Sequence, residues 1–408
     1  MKRRIAQLPL HGGKAPPWLF RRMKHLAGAI TMAVVDAFGP EEMLRRLADP
    51  WWFQAFGCAL GFDWHSSGLT TVTCGAMKEA ARLYGDDLGL TVAGGKGATS
   101  RKTPQELADA AERYAIAEGE RLVYASRMSA KVDSAAVQDG YQVYHHSFFL
   151  APSGAWCVVQ QGMSETAGLA RRYHWLGETV RDFVCEPHHA IGDLRGEKGS
   201  RNLFLKTRAF TGDLAKNAKK VPGTFFLLNM VAREAEGNRH GCAELVRGHP
   251  DALLAEVRKA TEGPTLFAPS HHAVLPADVN LDRLRRIVRT AHEANPADFE
   301  ALLGTRGVGP ATVRSLSLLA ELIYHAPASH RDPAAPIAPP EPPGEADGRR
   351  WADYSYAHGG KDGFPFPVDR ETYDRNIQVL LDAIRKARIG QADKAEALKR
   401  LARATPLP

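Results

Sequence analysis

A tight turn between two apolar segments is the feature of the sequence best suited to chemistry on a polyanion. The turn reads Gly307-Val308-Gly309-Pro310 and separates the segments 296–303 and 311–325. Two glycines let the backbone turn sharply and approach a ligand closely. The free N–H groups that begin the second helix then point toward a phosphate, aided by the helix dipole. This helix-hairpin-helix pattern predicts contact with the DNA backbone without sequence reading, and an ordinary pair of antiparallel helices is the alternative.

The expected DNA contacts cluster around this turn, and the overall charge permits them. The chain carries 53 Lys and Arg residues against 46 Asp and Glu residues, which gives a formal net charge of +7. A moderately basic chain can bind a polyanion, but its charge alone does not identify one. The residues predicted to bind DNA are Arg306, Gly307, Val308, Gly309, Thr312 and Arg314.

A second segment, PFPVDR at 365–370, places Asp369 at the start of a further predicted helix. The hairpin, the Val-Asp pair and the new helix together resemble the helix-hairpin-helix DNA glycosylase superfamily. The resemblance implies that Asp369 stabilises an oxocarbenium-like sugar while a flipped-out damaged base leaves, without any cofactor. In the alternative interpretation, Asp369 serves only as the N-cap of its helix.

Two departures from that superfamily affect the catalytic assignment. Asp369 follows Pro310 by 59 residues, which is longer than the usual separation, whereas Asp332 follows it by 22 residues. Asp369 is preferred for its local context. Bifunctional members also carry a lysine just after the hairpin, where this chain has Ala311, so a lyase activity through that position is not supported. Lys361 is the nearby substitute, and Asp369 and Lys361 are therefore the predicted catalytic residues.

Carboxylates and imidazoles are frequent in the N-terminal part, where they suit a divalent metal. Such side chains can hold Mg²⁺ or Mn²⁺ so that it activates water at a phosphodiester. This set predicts a metal-dependent DNA nuclease as the alternative to base excision. Because no fixed ligand spacing supports the metal, buried polar residues satisfied by hydrogen bonds are the other interpretation. The candidate metal ligands are Asp63, His65, Asp133, His146, Glu186 and His188.

The elements that must position these residues predict an α+β fold. Segments 141–150 and 155–161 are rich in aromatic and β-branched residues, and Pro152, Ser153 and Gly154 separate them, as is typical of a β-hairpin. A mixed N-terminal domain with this hairpin or sheet is expected to precede an α-helical helix-hairpin-helix domain. Periodicity and end signals predict a short buried strand at 121–125 and helices at 40–48, 104–118, 280–296, 296–303 and 311–325.

Composition divides the chain into four predicted parts. The 408 residues exceed one typical domain, and segment 326–348 holds seven of the 26 prolines, as an extended insertion would. The predicted parts are an α+β domain (1–255), a helix-hairpin-helix region (256–325), a Pro-rich linker (326–350) and a C-terminal helical segment that completes the helical domain (351–408). The five cysteines form no C-x-x-C pair, and no apolar run is long enough for a membrane helix, so a cytoplasmic protein is expected.

Longer segments carry a family resemblance over nearly the whole chain. IAQLPLHGGKAPPWLF, GFDWHSSGLTTVTCGAMKEA and YAHGGKDGFPFPVDRETYDR resemble the domain of unknown function 763 family. The family name implies no activity and no site residues, so three hypotheses stay open. A DNA repair enzyme with a glycosylase-like mechanism is the leading one, and a metal-dependent DNA nuclease is the alternative. A non-enzymatic, structure-selective DNA-binding module is the third, and protein partners are not predicted.

Overall fold

The computed structural model describes a central sheet and most of the helices around it. The described residues are 8, 10, 15–62, 66–165, 167–191, 227–262 and 281–334. Four predicted site residues, Asp63, His65, Lys361 and Asp369, lie outside these ranges. The predicted C-terminal segment 351–408 and most of the predicted linker 326–350 lie outside them as well.

Helices precede the sheet, flank its first strand and follow its last one. The helices in the N-terminal half are α1 (Pro17–Phe38), α2 (Pro40–Ala48), α3 (Pro50–Ala59), α4 (Gly68–Tyr84), α5 (Thr103–Arg113) and α6 (Gly119–Lys131). The later described helices are α7 (Glu236–Arg247), α8 (Pro250–Glu262), α9 (Leu281–Ala294), α10 (Phe299–Gly304) and α11 (Pro310–Tyr324). The strands are β1 (Thr91–Lys96), β2 (Val137–Gln138), β3 (Gln142–Leu150), β4 (Trp156–Ser164), β5 (Leu169–Leu176), β6 (His188–Ile191) and β7 (Leu228–Asn229).

Five strands form one antiparallel sheet in the order β1-β3-β4-β5-β6, and β2 pairs separately with β7. Successive side chains of a strand point to opposite faces. One face therefore carries Phe148, Val158 and Trp175, and the other carries Phe149 and Val159. The central strands are buried on both faces, so their polar residues, such as Gln160, Gln161 and Arg171, are buried together with the apolar and aromatic ones.

Each face of the sheet has its own hydrophobic core. Phe149 and Val159 pack with α1 to α4, whereas Phe148, Val158 and Trp175 pack with α5, α6 and the later helices. The molecule is thus layered as helices, sheet and helices. The same core includes residues of α10 and α11, so the hairpin region is packed against α6 and the helices on this side of the sheet.

The structure confirms the α+β class and corrects two local predictions. The predicted helix at 40–48 and the predicted β-hairpin are present as α2 and as β3 and β4. The strand predicted at 121–125 is wrong, because these residues lie inside α6. Leu122, Ala125 and Met128 are buried at helical spacing, and this longer period outweighs a five-residue apolar window. The helix predicted over 104–118 ends at Arg113, and Ala115 follows with a left-handed φ of 53°.

The predicted division of the chain near residue 255 stays a prediction. Within the described residues, helices on both sides of this position contribute to the same core, through Val246 and Leu254 on one side and Leu302 and Val313 on the other. No helix among the described residues is long and apolar enough to cross a membrane.

Candidate nucleic-acid interface

The predicted hairpin is formed by α10, a five-residue turn and α11. Asp298 is the N-cap of α10, where its side chain accepts a hydrogen bond from the Ala301 N–H at 2.8 Å. Gly307 has a φ of +91°, which a residue with a side chain adopts only with strain. A Cβ at this position would also approach Ile287 Cγ1 of α9 to 3.2 Å. The turn therefore requires the glycine that the sequence supplies.

Val308 and Gly309 complete the turn in two different ways. Val308 is buried in the core under α6, so it anchors the turn to the molecule. Gly309 is the N-cap of α11 in extended backbone, with φ −147°, and its carbonyl accepts the Val313 N–H at 3.0 Å. Pro310 at the first helical position has no N–H to leave unpaired. The N–H groups of Ala311 and Thr312 are then the donors in the first turn of α11 that have no acceptor within the helix.

Lys131, the last residue of α6, stabilises the turn through three hydrogen bonds. Its Nζ donates to the carbonyls of Leu303 at 2.7 Å, Thr305 at 2.8 Å and Val308 at 3.0 Å. These bonds use all three N–H donors of the ammonium group. A cation at the end of α10 also opposes the negative end of the helix dipole. Burial lowers the pKa of Lys131 from its ordinary value.

The polar residues of the hairpin differ in how far they are available at the surface. Arg306 is exposed on the turn. Arg314 donates from Nε to Gln138 Oε1 at 2.9 Å, and Gln138 in turn donates to the Pro310 carbonyl at 2.9 Å. Thr312 is 3% exposed, so its hydroxyl is buried and does not extend into solvent. Of the predicted contacts, Arg306 and Arg314 are therefore the side chains that reach solvent.

Basic residues of α9 lie beside the turn, and the sequence analysis did not assign them. Ile287 of α9 is the side chain nearest to Gly307. Arg283 and Arg286 are exposed and lie four positions and one position before Ile287 on the same helix. The signal that would have found them is the run RLRRIVR, which places four arginines in seven residues on a helix with a single apolar face.

The predicted metal ligands Asp133, His146 and His188 are buried near one another at the middle of the sheet. Asp133 lies in a π-helical turn, Val132–Ala136, which follows α6 directly. Its Oδ2 accepts hydrogen bonds from Gln160 Nε2 at 2.5 Å and from Trp175 Nε1 at 2.9 Å. Burial raises the pKa of Asp133 well above its usual range, so the carboxyl group resists ionisation.

The two histidines of this group are neutral. His188 stacks on Trp175, and its Nε2 is 3.1 Å from Asp133 Oδ1 without the alignment of a hydrogen bond. His146 is hydrogen-bonded at both ring nitrogens, to Ser126 and Gln160. Burial lowers the pKa of His188 to about 3 and that of His146 to about 4.

The remaining predicted metal ligand, Glu186, does not join this group. Its carboxylate contacts Arg331 at 2.5 Å and Arg233 at 3.6 Å near the surface. In the part of the chain that the structure describes, no three His, Cys, Asp or Glu side chains converge as a metal site requires. The other two predicted ligands, Asp63 and His65, lie outside this part of the chain.

Asp332, the alternative catalytic aspartate by spacing, forms part of a buried ion-pair network. Its Oδ2 accepts from Arg171 at 2.9 Å, and Arg171 also donates to Asp139 at 2.7 Å. Tyr173 donates to the same oxygen of Asp139 at 2.7 Å. This network ties the segment after α11 to β5. Asp332 thus forms a structural contact, and Asp369 lies outside the described residues.

Comparison with known proteins identifies a family without an activity. A family model described as protein of unknown function (DUF763) matches residues 4–220 and 217–368. No curated protein and no solved structure matches the chain. The match extends over most of the sequence and includes both the sheet and the hairpin. The chain therefore belongs to the DUF763 family.

Proposed function

We propose that this protein binds DNA through the hairpin formed by α10, the turn 305–309 and α11. The observation that carries the proposal is the rigid turn: Gly307 at positive φ, Val308 buried, and Lys131 bonded to three of its carbonyls. A turn held in this way presents the first N–H groups of α11 in a fixed direction. Fixed N–H groups at a helix start suit a phosphate oxygen.

The binding that we propose is to the backbone and not to the bases. The backbone N–H groups of Ala311 and Thr312 would contact a phosphate, because the first N–H groups of a helix have no partner within the helix. Arg306 and Arg314 would add positive charge on either side of this point. Arg283 and Arg286 of α9 would extend the positively charged surface along the DNA backbone. Such contacts position a protein on DNA and carry no sequence information.

Base excision is the catalytic part of the proposal. It rests on the resemblance of the segment around Asp369 to the helix-hairpin-helix glycosylases, in which the matching aspartate stabilises the sugar cation. Lys361 is the proposed assisting residue. A cytoplasmic location belongs to the same proposal, because the five cysteines are free thiols, as expected in a reducing compartment.

The binding proposal is tested by fluorescence anisotropy with a labelled DNA duplex at several salt concentrations. We expect Gly307→Val to weaken binding at least tenfold, since its side chain would strain the turn and press on Ile287. The matched control is Gly154→Val in the β3–β4 turn. Gly154 has a φ of +87°, and a Cβ there would lie 3.6 Å from Ile116 Cγ2. Equal affinities of Gly307→Val, the control and the wild type would refute the proposal.

The catalytic proposal is tested on duplexes that carry single damaged bases. We expect abasic sites, revealed as breaks by alkali, in the presence of a chelator, and we expect Asp369→Asn to abolish them. Cuts that need Mg²⁺ or Mn²⁺ and no alkali would instead support the nuclease. DNA binding without either product would support the non-enzymatic binding module.

A further inference from the structure

A second basic segment comprises the last three residues of β1 and the loop that connects this strand to α5. Residues 94–102 read GGKGATSRK, and no acidic residue occurs between Thr91 and Gln105. Gly94, Gly95 and Gly97 all have positive φ values, of 83°, 141° and 58°. The loop therefore has a defined backbone path that its glycines make possible. We call residues 94–102 the β1 loop.

Half-buried hydrogen bonds to Lys78 and Glu106 fix the start of the β1 loop. The Gly94 N–H donates to Glu106 Oε2 at 2.6 Å, while Lys78 Nζ donates to the Gly94 carbonyl at 2.7 Å. Lys78 and Glu106 also bond to each other at 2.8 Å. A Cβ on Gly94 would lie 2.3 Å from the His146 carbonyl oxygen, so only glycine fits at this position of the strand. Ordering the start of the loop in the free protein lowers the entropy that binding would cost.

The tip of the β1 loop presents three cations to solvent. Lys96, Arg101 and Lys102 are exposed, and the residues between them are Gly, Ala, Thr and Ser. Among the described residues, no carboxylate lies within ion-pair distance of these three side chains. Small neighbours let a phosphate approach both the cations and the backbone. The loop thus offers positive charge that a phosphate can approach closely, and both properties favour binding of a phosphodiester backbone.

The β1 loop is connected to the hairpin through β3 and α6. Gly95 pairs with His146 of β3, and His146 Nε2 bonds to Ser126 Oγ of α6 at 2.9 Å. Five residues later, Lys131 of the same helix bonds to the hairpin turn. This is about 7.5 Å of helix rise. Arg127 is exposed between the two contacts, one helical turn before Lys131.

We propose that the β1 loop, together with Arg127, is a second contact surface for the DNA backbone. This inference rests on the proposed function, which it deepens by assigning a second set of phosphates. The hairpin would bind one phosphate through backbone N–H groups. The loop would bind neighbouring phosphates through Lys96, Arg101 and Lys102. Arg127 makes the charge continuous between them, so a single duplex spans both surfaces.

The test removes the three loop cations together and measures how DNA affinity depends on salt. We expect the variant with Lys96→Ala, Arg101→Ala and Lys102→Ala to lower the slope of log K against log salt by about 3, one for each lost phosphate contact. A variant that exchanges Lys and Arg at these positions keeps the charge and should retain most of the slope.

The control removes three cations at the opposite end of the sheet. Arg45, Arg46 and Arg181 lie there, since Arg45 bonds to Glu178 beyond the end of β5. Their replacement by Ala produces the same change of net charge, and we expect little change of slope. Equal slopes for the loop variant and this control would overturn the inference.

The experiment also separates the loop from the hairpin. If the wild type binds DNA, Gly307→Val weakens it and the loop variant does not, then the inference fails while the proposed function stands. If the wild type does not bind DNA at all, both fail. If the loop variant loses slope while its urea unfolding matches that of the wild type, lost contacts rather than lost folding explain the effect and the inference is supported.

Discussion

Lys131→Met is the substitution that most directly tests how the hairpin turn is held. Methionine keeps the length and much of the volume of the lysine stem but removes the ammonium group. The carbonyls of Leu303, Thr305 and Val308 then lose the donor that they share. No change is made in the hairpin itself, so any effect on the turn must be transmitted from α6.

The expected loss of stability follows from the three lost bonds. A hydrogen bond with a charged partner contributes about 1.5–3 kcal/mol, and a buried acceptor left unpaired costs about 1–3 kcal/mol. Leu303 and Val308 are buried, whereas Thr305 is half-buried, so its carbonyl can regain water. We therefore count roughly two of the three acceptors and expect a loss of about 2–4 kcal/mol in the free energy of unfolding.

The measurement is urea unfolding followed by circular dichroism, combined with hydrogen exchange over residues 303–309. The matched control is Arg127→Met, one turn earlier on α6, where the exposed side chain should change stability by less than about 0.5 kcal/mol. Lys131→Arg should fall between them, since a planar guanidinium cannot match three carbonyls arranged around one nitrogen. If Lys131→Met and Arg127→Met proved equally stable, with equal exchange in the turn, the reasoning would be refuted.

Three further predictions concern the sheet and its surroundings. Gly94→Ala should lower the free energy of unfolding by about 3 kcal/mol or more, because its Cβ would clash with a backbone carbonyl. Gly168→Ala, at a φ of +66° with open space, should cost only about 1 kcal/mol in the same urea titration. Arg171→Met should cost about 3–5 kcal/mol in the free energy of unfolding because two buried carboxylates lose their cation. Arg45→Met, at a solvent-exposed ion pair, should cost far less, and similar losses would contradict the burial argument. His188 has a pKa near 3 in the folded chain, below its ordinary 6.5, so acid favours the unfolded state. From pH 7.5 to 5.5, the wild type should lose about 1.4 kcal/mol more stability than His188→Gln, and parallel pH profiles would refute this assignment.

Local signals in the sequence predicted the elements that are determined locally. The aromatic and β-branched segments around Pro152-Ser153-Gly154 form β3 and β4, as expected for a hairpin. Gly307 and Gly309 indicate the turn between α10 and α11. Gly307 supplies its positive φ and Gly309 its extended N-cap, and both requirements fall within a few consecutive residues. The strand predicted at 121–125 failed because the window was too short to include Met128, which continues the helical period.

Contacts between distant parts of the chain were beyond such reasoning. Lys131 lies more than 170 residues before the carbonyls to which it donates, and nothing near it in the sequence indicates that it supports a hairpin. Arg171 and Asp332 meet in the same way across 161 residues. Of the carboxylates and imidazoles that suggested a metal, most of those that the structure describes are bonded to amide, hydroxyl, indole or guanidinium groups. Composition reveals such residues, but only the packing reveals their partners.

Hydrogen exchange of the free and DNA-bound protein tests the central claim most directly. The protein would be saturated with a duplex at low salt, and exchange would be followed over the hairpin and over α1 as an internal reference. We predict slower exchange of the amides of residues 305–313, with Ala311 and Thr312 among them, and no change in α1. DNA binding that leaves the hairpin amides unchanged would contradict the claim.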